Sequence, residues 1–252
     1  MSPAEIALLL VIGILAGTSN ALVGGGTLFT FPVLIATGVP PIVANTTCTV
    51  ALWPGTLTSA YAYAPELKRK PQGLGLRVAV AIAGGLIGAV LLLAGGDALF
   101  FKLVPWLLAM ATFLFTFGRA IMKRVTRLPR RERNERRLLA MEFASSINGG
   151  YFGAGIGIFL LASMALEGEQ DMQLANAQRN FLVVFINGVA AALFIARGIV
   201  DWTAAIAVMA GAIAGGWLGA RLAKRIPNQW LRLLIAAAGT IFSAYYFVQA
   251  YG

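Results

Sequence analysis

The side chains able to do chemistry in this chain are few, and they fall into four short clusters within apolar sequence. Thr18, Ser19 and Asn20 precede the glycines Gly24, Gly25 and Gly26, and Ser145, Ser146 and Asn148 precede Gly153-Ala154-Gly155. Asn45, Thr46, Thr47 and Thr49 open one long apolar segment, and Asn176, Gln178, Arg179 and Asn180 open another. Among these groups only Arg179 is charged. Its planar guanidinium binds an oxyanion through two parallel hydrogen bonds. It also stands near a predicted helix start, where free backbone N–H groups and the positive dipole end favour an anion. The competing role for Arg179 is an interfacial anchor that pairs with Glu167, Glu169 or Asp171. Glu142, at the head of the run 143–166, is a candidate proton-coupling carboxylate. Its competing role is an interfacial charge paired with Arg136 or Arg137. The four clusters suit the binding of a small anion, with Asn and Thr side chains to orient it.

Several chemistries are excluded or unsupported. The chain has no His, so imidazole catalysis and imidazole proton relays are absent. No Cys/His cluster suggests a metal, and no cofactor is implied. Cys48 is the single cysteine and permits no intramolecular disulfide; it reads as a small packing residue. No phosphate-cradling G-x-x-x-x-G-K-[ST] motif occurs, so ATP drive within this chain is not indicated. No pair of buried carboxylates suggests hydrolysis. An enzyme is not expected.

The elements that must position these residues are membrane helices. The 252 residues are 59% hydrophobic and only 12% charged, against about 25% charged in soluble domains. Several charge-free runs reach the ~20 apolar residues that span a bilayer. The expected fold class is an all-α polytopic membrane protein whose immediate partner is the lipid bilayer. The net charge of +10 does not point to nucleic acid. Most of the basic residues fall in short connections, at 68–70, 123–137 and 221–232, which is the positive-inside pattern of cytoplasmic loops. The opening run 6–16 lacks a basic flank and is not expected to be a cleavable signal.

Three consecutive glycines at membrane depth break a helix where freed backbone groups find no water. Such breaks are tolerated when buried in protein or lining a cavity, and in transporters they lie near the substrate site. The alternative is close helix packing through small residues. The breaks recur. Gly24-Gly25-Gly26 returns as Gly153-Ala154-Gly155, Ala44-Asn45 as Ala175-Asn176, and Gly84-Gly85-Leu86-Ile87-Gly88-Ala89 as Gly215-Gly216-Trp217-Leu218-Gly219-Ala220, always 129 to 131 residues on. The organisation expected is a first transmembrane repeat at 1–122, a basic cytoplasmic linker at 123–137 and a second repeat at 138–252. Unbroken, residues 6–36 would make a helix of about 46 Å, too long for a ~30 Å core. If each break turns the chain back, every half makes five passes: a broken hairpin plus three long helices. The halves are then inverted, the basic connections share the cytoplasmic side, and both termini lie outside.

Gly17-x-x-Asn20 followed by Gly24-Gly25-Gly26 and Pro32 resembles the first motif of the sulfite exporter TauE/SafE family. Ala44-Asn45-Thr46-Thr47 resembles that family's next helix opening, and Asn148 with Gly153-x-Gly155-x-Gly157 its second glycine motif. The likeness covers essentially the whole chain. It implies a multi-pass protein of the bacterial inner membrane that exports a small anion, sulfite or an organosulfonate, from a site between the repeats. A proton-coupled permease for another small metabolite is the alternative, and a homodimer is admitted. The implied site comprises Asn20, Gly24, Gly25, Gly26, Asn45, Thr46, Thr47, Asn148, Gly153, Gly155, Asn176, Gln178, Arg179 and Asn180. The second motif departs from the first: Leu161 stands where Pro32 stands in the first half, and Ala154 replaces the middle glycine.

The charge pattern generates a topological prediction. Single cysteines placed in 123–137 and beside Lys224, in a Cys48-free background, should both be shielded from impermeant reagent in intact cells. Labelling of one and not the other would restore a parallel eight-span fold.

Overall fold

The computed structural model describes residues 1–22, 25–67, 73–126, 134–169, 171–222 and 228–252. Within them the chain forms ten helices and no strand: α1 (Pro3–Leu22), α2 (Thr27–Ala36), α3 (Pro41–Ala62), α4 (Ala64–Leu67), α5 (Leu74–Val125), α6 (Glu135–Tyr151), α7 (Ile156–Leu166), α8 (Met172–Ala196), α9 (Trp202–Leu222) and α10 (Asn228–Tyr251). The fold is that of an all-α membrane protein. Among the described residues, Pro3–Asn20, Leu74–Gly118 and Gln173–Ala196 are long and apolar enough to cross a membrane. Bulky apolar side chains face outward on several helices, including Leu8, Val11 and Leu15 of α1, Leu86 and Val90 of α5, and Ile206 and Ile213 of α9. In water this surface would be an aggregation hazard; in lipid it needs no partner.

Helix α5 has 52 residues, about 78 Å if it were straight. It is instead two limbs, because Gly96 adopts φ 71°, ψ 165° and reverses the chain there. The apolar runs 78–94 and 103–121 are these limbs, joined without a separate loop. Asp97, at the start of the second limb, accepts from the N–H of Ile42 at 2.9 Å and so ties this turn to the start of α3.

Contacts fix the helix directions. Gly13 of α1 lies against Val208 and Gly17 against Ala212, while Thr18 donates to Gly215 O at 3.0 Å, so α1 and α9 run parallel. Gly84 meets Phe143 and Ser146, and Gly88 meets Ile147 and Tyr151, so the first limb of α5 runs parallel to α6. By contrast α3 and α8 are antiparallel. Thr46 and Thr47 bond Ile199 and Asp201 beyond the end of α8, and Trp53 Nε1 donates to Val184 O near its middle, at 3.1 Å. The second limb of α5 and α10 are also antiparallel: Tyr251 Oη donates to Lys102 O at 2.9 Å, while Gly239 meets Thr112. Because α3 starts where α1 starts, α2 must run back along α1, and the first glycine break reverses the chain. By the same reasoning α7 runs back along α6.

Two faces result. One carries both termini, Asp97 and Asp201. The other carries the helix ends that flank 68–72, 127–133 and 223–227, including Lys123, Arg124, Arg136 and Arg137. The basic residues at 68–70, 127–133 and 224–225 lie outside the described residues.

The α1–α9 and α5–α6 crossings rest on glycine. A Cβ at Gly88 would collide with Ile147 O, and one at Gly215 with Ile14 O, whereas one at Gly216 would meet nothing within 4 Å. Small residues let membrane helices approach until backbone touches backbone, which is the main source of packing energy where lipid removes the hydrophobic drive. Gly88→Ala and Gly215→Ala should each destabilise by about 1–3 kcal/mol, the cost of overpacking. Gly216→Ala should not. Thermal midpoints of the three variants in one detergent test this contrast, and equal midpoints would refute the crossing geometry.

Candidate functional site

Both glycine breaks open onto one interior cavity of about 90 Å³, room for a small ion with a few waters. At the first break Gly25 has φ 90°, and at the second Gly153 and Gly155 have φ 81° and 82°. An L side chain rarely adopts these angles, so glycine permits both turns. The breaks sit at equal depth: Gly25 faces Phe115 and Gly155 faces Ala111 and Leu114, all half way along the second limb of α5. The starts of α2 and α7 therefore point into the cavity from opposite sides, at Thr27 and Ile156. The first N–H groups of any helix have no intrahelical partner. Helix α3 contributes Thr49, Thr56 and Ser59 to the wall, and α8 contributes Arg179, Asn180 and Asn187. These positions lead from the breaks toward the basic face. Toward the terminal face the interior is filled by Phe31, Phe100 and Phe152; Phe31 packs edge to face on the other two, and the three ring centroids are 5.6 to 6.4 Å apart.

Arg179 is the only charged residue lining this cavity among the described residues. Its Nη2 donates to Asn180 Oδ1 at 2.9 Å, and no described carboxylate forms an ion pair with it. The acids expected as alternative partners are engaged elsewhere. Glu167 lies 3.4 Å from Arg137 and accepts from Asn134 N at 2.7 Å. Asp171 caps α8 by accepting from the N–H groups of Gln173 and Leu174. Glu169 accepts from Asp171 N at 3.1 Å. Arg179 stretches across Gly157, whose absent Cβ would stand 3.3 Å from Cδ and 3.4 Å from Nη1.

The sequence-predicted residues divide into groups. Asn20, Gly25, Gly153, Gly155, Arg179 and Asn180 meet at the cavity. Gly26 sits behind it, its N–H donated to Asn20 Oδ1 at 2.8 Å. Gly24 lies outside the described residues. Asn45, Thr46 and Thr47 do not line the cavity. They latch α3 to neighbouring chain: Asn45 Nδ2 donates to Tyr151 O, Thr46 Oγ1 to Ile199 O, and Thr47 Oγ1 accepts from Asp201 N. Asn148 accepts through its carbonyl from Phe152 and Gly153 N–H, closing α6, and its side chain is off the cavity wall. Asn176 is half-buried on α8, also off the wall.

Glu142 and Gln178 form a separate cluster around Arg77, a residue that sequence reasoning passed over. Arg77 and Glu142 are both almost wholly buried, at 2% and 1% exposure. Arg77 Nε donates to both carboxylate oxygens at 3.0 and 2.9 Å, Nη2 also bonds Glu142, and Nη1 bonds Gln178 Oε1. Neither interfacial arginine expected beside Glu142 is its partner. The cluster joins α5, α6 and α8 and is electrically neutral, which leaves the cavity's positive charge to Arg179. The signal for Arg77 was present: a lone Arg three residues into a long apolar run needs a buried acid, and Glu142 is a lone acid early in another.

A multi-pass helical protein with a polar pocket at mid-depth, built where two broken helices meet, is a membrane transporter in its architecture. The sequence bears this out. Residues 9–246 match the model of the sulfite exporter TauE/SafE family, and the chain belongs to that family. It is similar to a protein of Haemophilus influenzae named a probable membrane transporter protein, 26% identical over 246 residues that make up 95% of this chain and 93% of the other. It is likewise similar to the probable membrane transporter protein YfcA of Escherichia coli K12, 24% identical over an alignment of 261 positions covering 100% of this chain and 93% of that one.

The Arg77–Glu142 pair generates a stability prediction. Removing one partner of a buried pair strands the other charge and costs about 3–5 kcal/mol, whereas replacing both with apolar residues is often neutral. Arg77→Met and Glu142→Met should each lower the yield and thermal midpoint sharply, and the double variant should recover most of both. A folded double variant that has lost transport would instead return Glu142 to the role of a proton-coupling carboxylate.

Proposed function

We propose that the chain is a secondary transporter that exports a small oxyanion, sulfite or a sulfonate, from a site between the two glycine breaks. One observation carries the reading: among the described residues the cavity wall holds a guanidinium and no carboxylate, with two helix N-termini directed into it. The one fixed charge at the described wall and the helix starts beside it thus favour a negative guest. The family and the named relatives support transport as the activity; the anion is inferred from the wall.

The antiparallel α3–α8 and α5–α10 pairs support an inverted relation between the halves 1–122 and 138–252. They also support a common, cytoplasmic side for the basic connections. The cavity then faces the cytoplasm. With an interior-negative potential, moving one negative charge outward gains ~2.3 kcal/mol per 100 mV. Export of an anion runs downhill electrically and needs no coupling ion.

Sulfite flux in proteoliposomes, against a panel of sulfate and small sulfonates, tests the reading together with Arg179. Arg179→Lys keeps the charge but loses the planar fork, and should weaken sulfite affinity. Arg179→Gln should weaken it further, by about tenfold or more for each charge-assisted bond lost. If both variants bind and move sulfite as wild type does, the proposed site is wrong. If wild type moves no member of the panel, so is the substrate class.

A further inference from the structure

The two breaks are not equivalent as anion sites, and the difference resides in which hydrogen-bond donors are already spent. Superimposing the repeat register sets Cys48 against Arg179, Thr49 against Asn180 and Leu28 against Gly157. Cys48, Thr49, Arg179, Asn180 and Gly157 all line the cavity. In the first half three donors are consumed internally. Gly26 N–H goes to Asn20 Oδ1 at 2.8 Å, the Cys48 thiol to Thr30 Oγ1 at 3.1 Å, and the Thr49 hydroxyl to Asn45 O at 3.0 Å. Leu28, in the place of Gly157, is fully buried and fills the space beside α3.

In the second half the donors are available. Asn180 is only 8% exposed, lines the cavity, and its Nδ2 has no hydrogen-bond partner. A buried amide donor left unpaired costs about 1–3 kcal/mol, which a bound acceptor would recover. Arg179 beside it uses its guanidinium on Asn180 Oδ1 alone among the described residues. The start of α7, an 11-residue helix, meets Arg179 at Gly157 and lines the same cavity as Asn180, and its N-cap Gly155 is left-handed and makes no side-chain cap bond. Gly157 keeps the guanidinium flat across this helix start: a methyl there would press on Cδ and Nη1.

We infer that the transporter binds one oxyanion at a time, on the second break alone, in a seat made by the start of α7, Arg179 and the Asn180 amide, with Gly157 as the positioning residue for Arg179. The first break serves as the neutral opposing wall. This rests on the anion reading given above and specifies where in that site the charge is held. It also accounts for the loss of symmetry at Gly157, where a second bulky residue like Leu28 would displace the cation.

Matched substitutions test the seat, with sulfite as the probe, titrated calorimetrically into the purified full chain in detergent. Asn180→Leu and Gly157→Ala should each weaken sulfite binding about tenfold, the worth of one charge-assisted bond. Thr49→Val, the first-half counterpart of Asn180→Leu, should weaken it several-fold less than Asn180→Leu does. In an Arg179→Gln background Gly157→Ala should have no further effect, because it acts through the guanidinium. A loss of bulk fit alone would weaken both backgrounds alike, and that result overturns the positioning role. Equal weakening by Thr49→Val and Asn180→Leu overturns the one-sided seat while leaving anion transport intact. If Gly157→Ala does not yield monodisperse protein, the Asn180–Thr49 comparison decides. If wild type binds no sulfite, sulfate or 2-aminoethanesulfonate, the anion reading falls first and the seat with it.

Discussion

A backbone amide in hydrocarbon must find a partner within the protein, and the architecture follows from the two places where this chain declines to supply one by continuing a helix. Each break at Gly25 and at Gly153–Gly155 leaves helix-start N–H groups near mid-membrane. The helices α3 and α8 and the second limb of α5 surround those groups, so lipid never reaches them. The first break closes part of its own deficit through Asn20. The second closes part of its own through the Asn148 carbonyl, and it is the second that has an arginine beside it. Backbone polarity, which elsewhere in a membrane protein is a liability to be hidden, here becomes the lining of a site.

The distribution of buried charge follows the same constraint. Arg77 is as deeply buried as Glu142 and is saturated by it and Gln178. That pair contributes nothing to the cavity's net field and joins three helices at one level. Arg179, one residue beyond Gln178, has no such partner among the described residues. One helix thus carries, at adjacent positions, a ligand of a neutral structural cluster and an uncompensated cation. Moving the acid from the first to the second would leave the cavity wall without net charge and would not alter the number of charges in these helices.

Much of the site was legible in the sequence, because glycine triplets and lone polar residues stand out sharply against an apolar background. The breaks, Asn20, Arg179 and Asn180, all named from the sequence, line one cavity. The direction of each side chain was harder to read. A helix that is apolar on all faces gives no periodic clue to which side meets a cavity. Asn45, Thr46 and Thr47 look like a binding cluster but sit at the start of α3, where they satisfy carbonyls and N–H groups of chain ends that lack helical partners. Thr49, Thr56 and Ser59, further along the same helix, reach the wall. Arg77 and Glu142 are 65 positions apart in sequence, and only the parallel packing of α5 on α6 shows them as a pair.

The glycine crossings also constrain how such a molecule can move. Helix α1 belongs to the first half and is seated on α9 of the second, backbone against backbone; α6 of the second is seated in the same way on α5 of the first. A rocking of residues 1–122 against 138–252 would have to part both crossings at once, and each is too close to slide without its glycines meeting carbonyl oxygens. Motion that leaves them shut is confined to what lies between: the short helices α2 and α7, hinged at positive-φ glycines, and the aromatic cluster of Phe31, Phe100 and Phe152 behind them. Phe31 rides on α2 and Phe152 on the turn before α7. The elements whose N-termini face the cavity are therefore the same elements that fill its far side, so a shift of either hairpin changes the cavity wall and the packing behind it together.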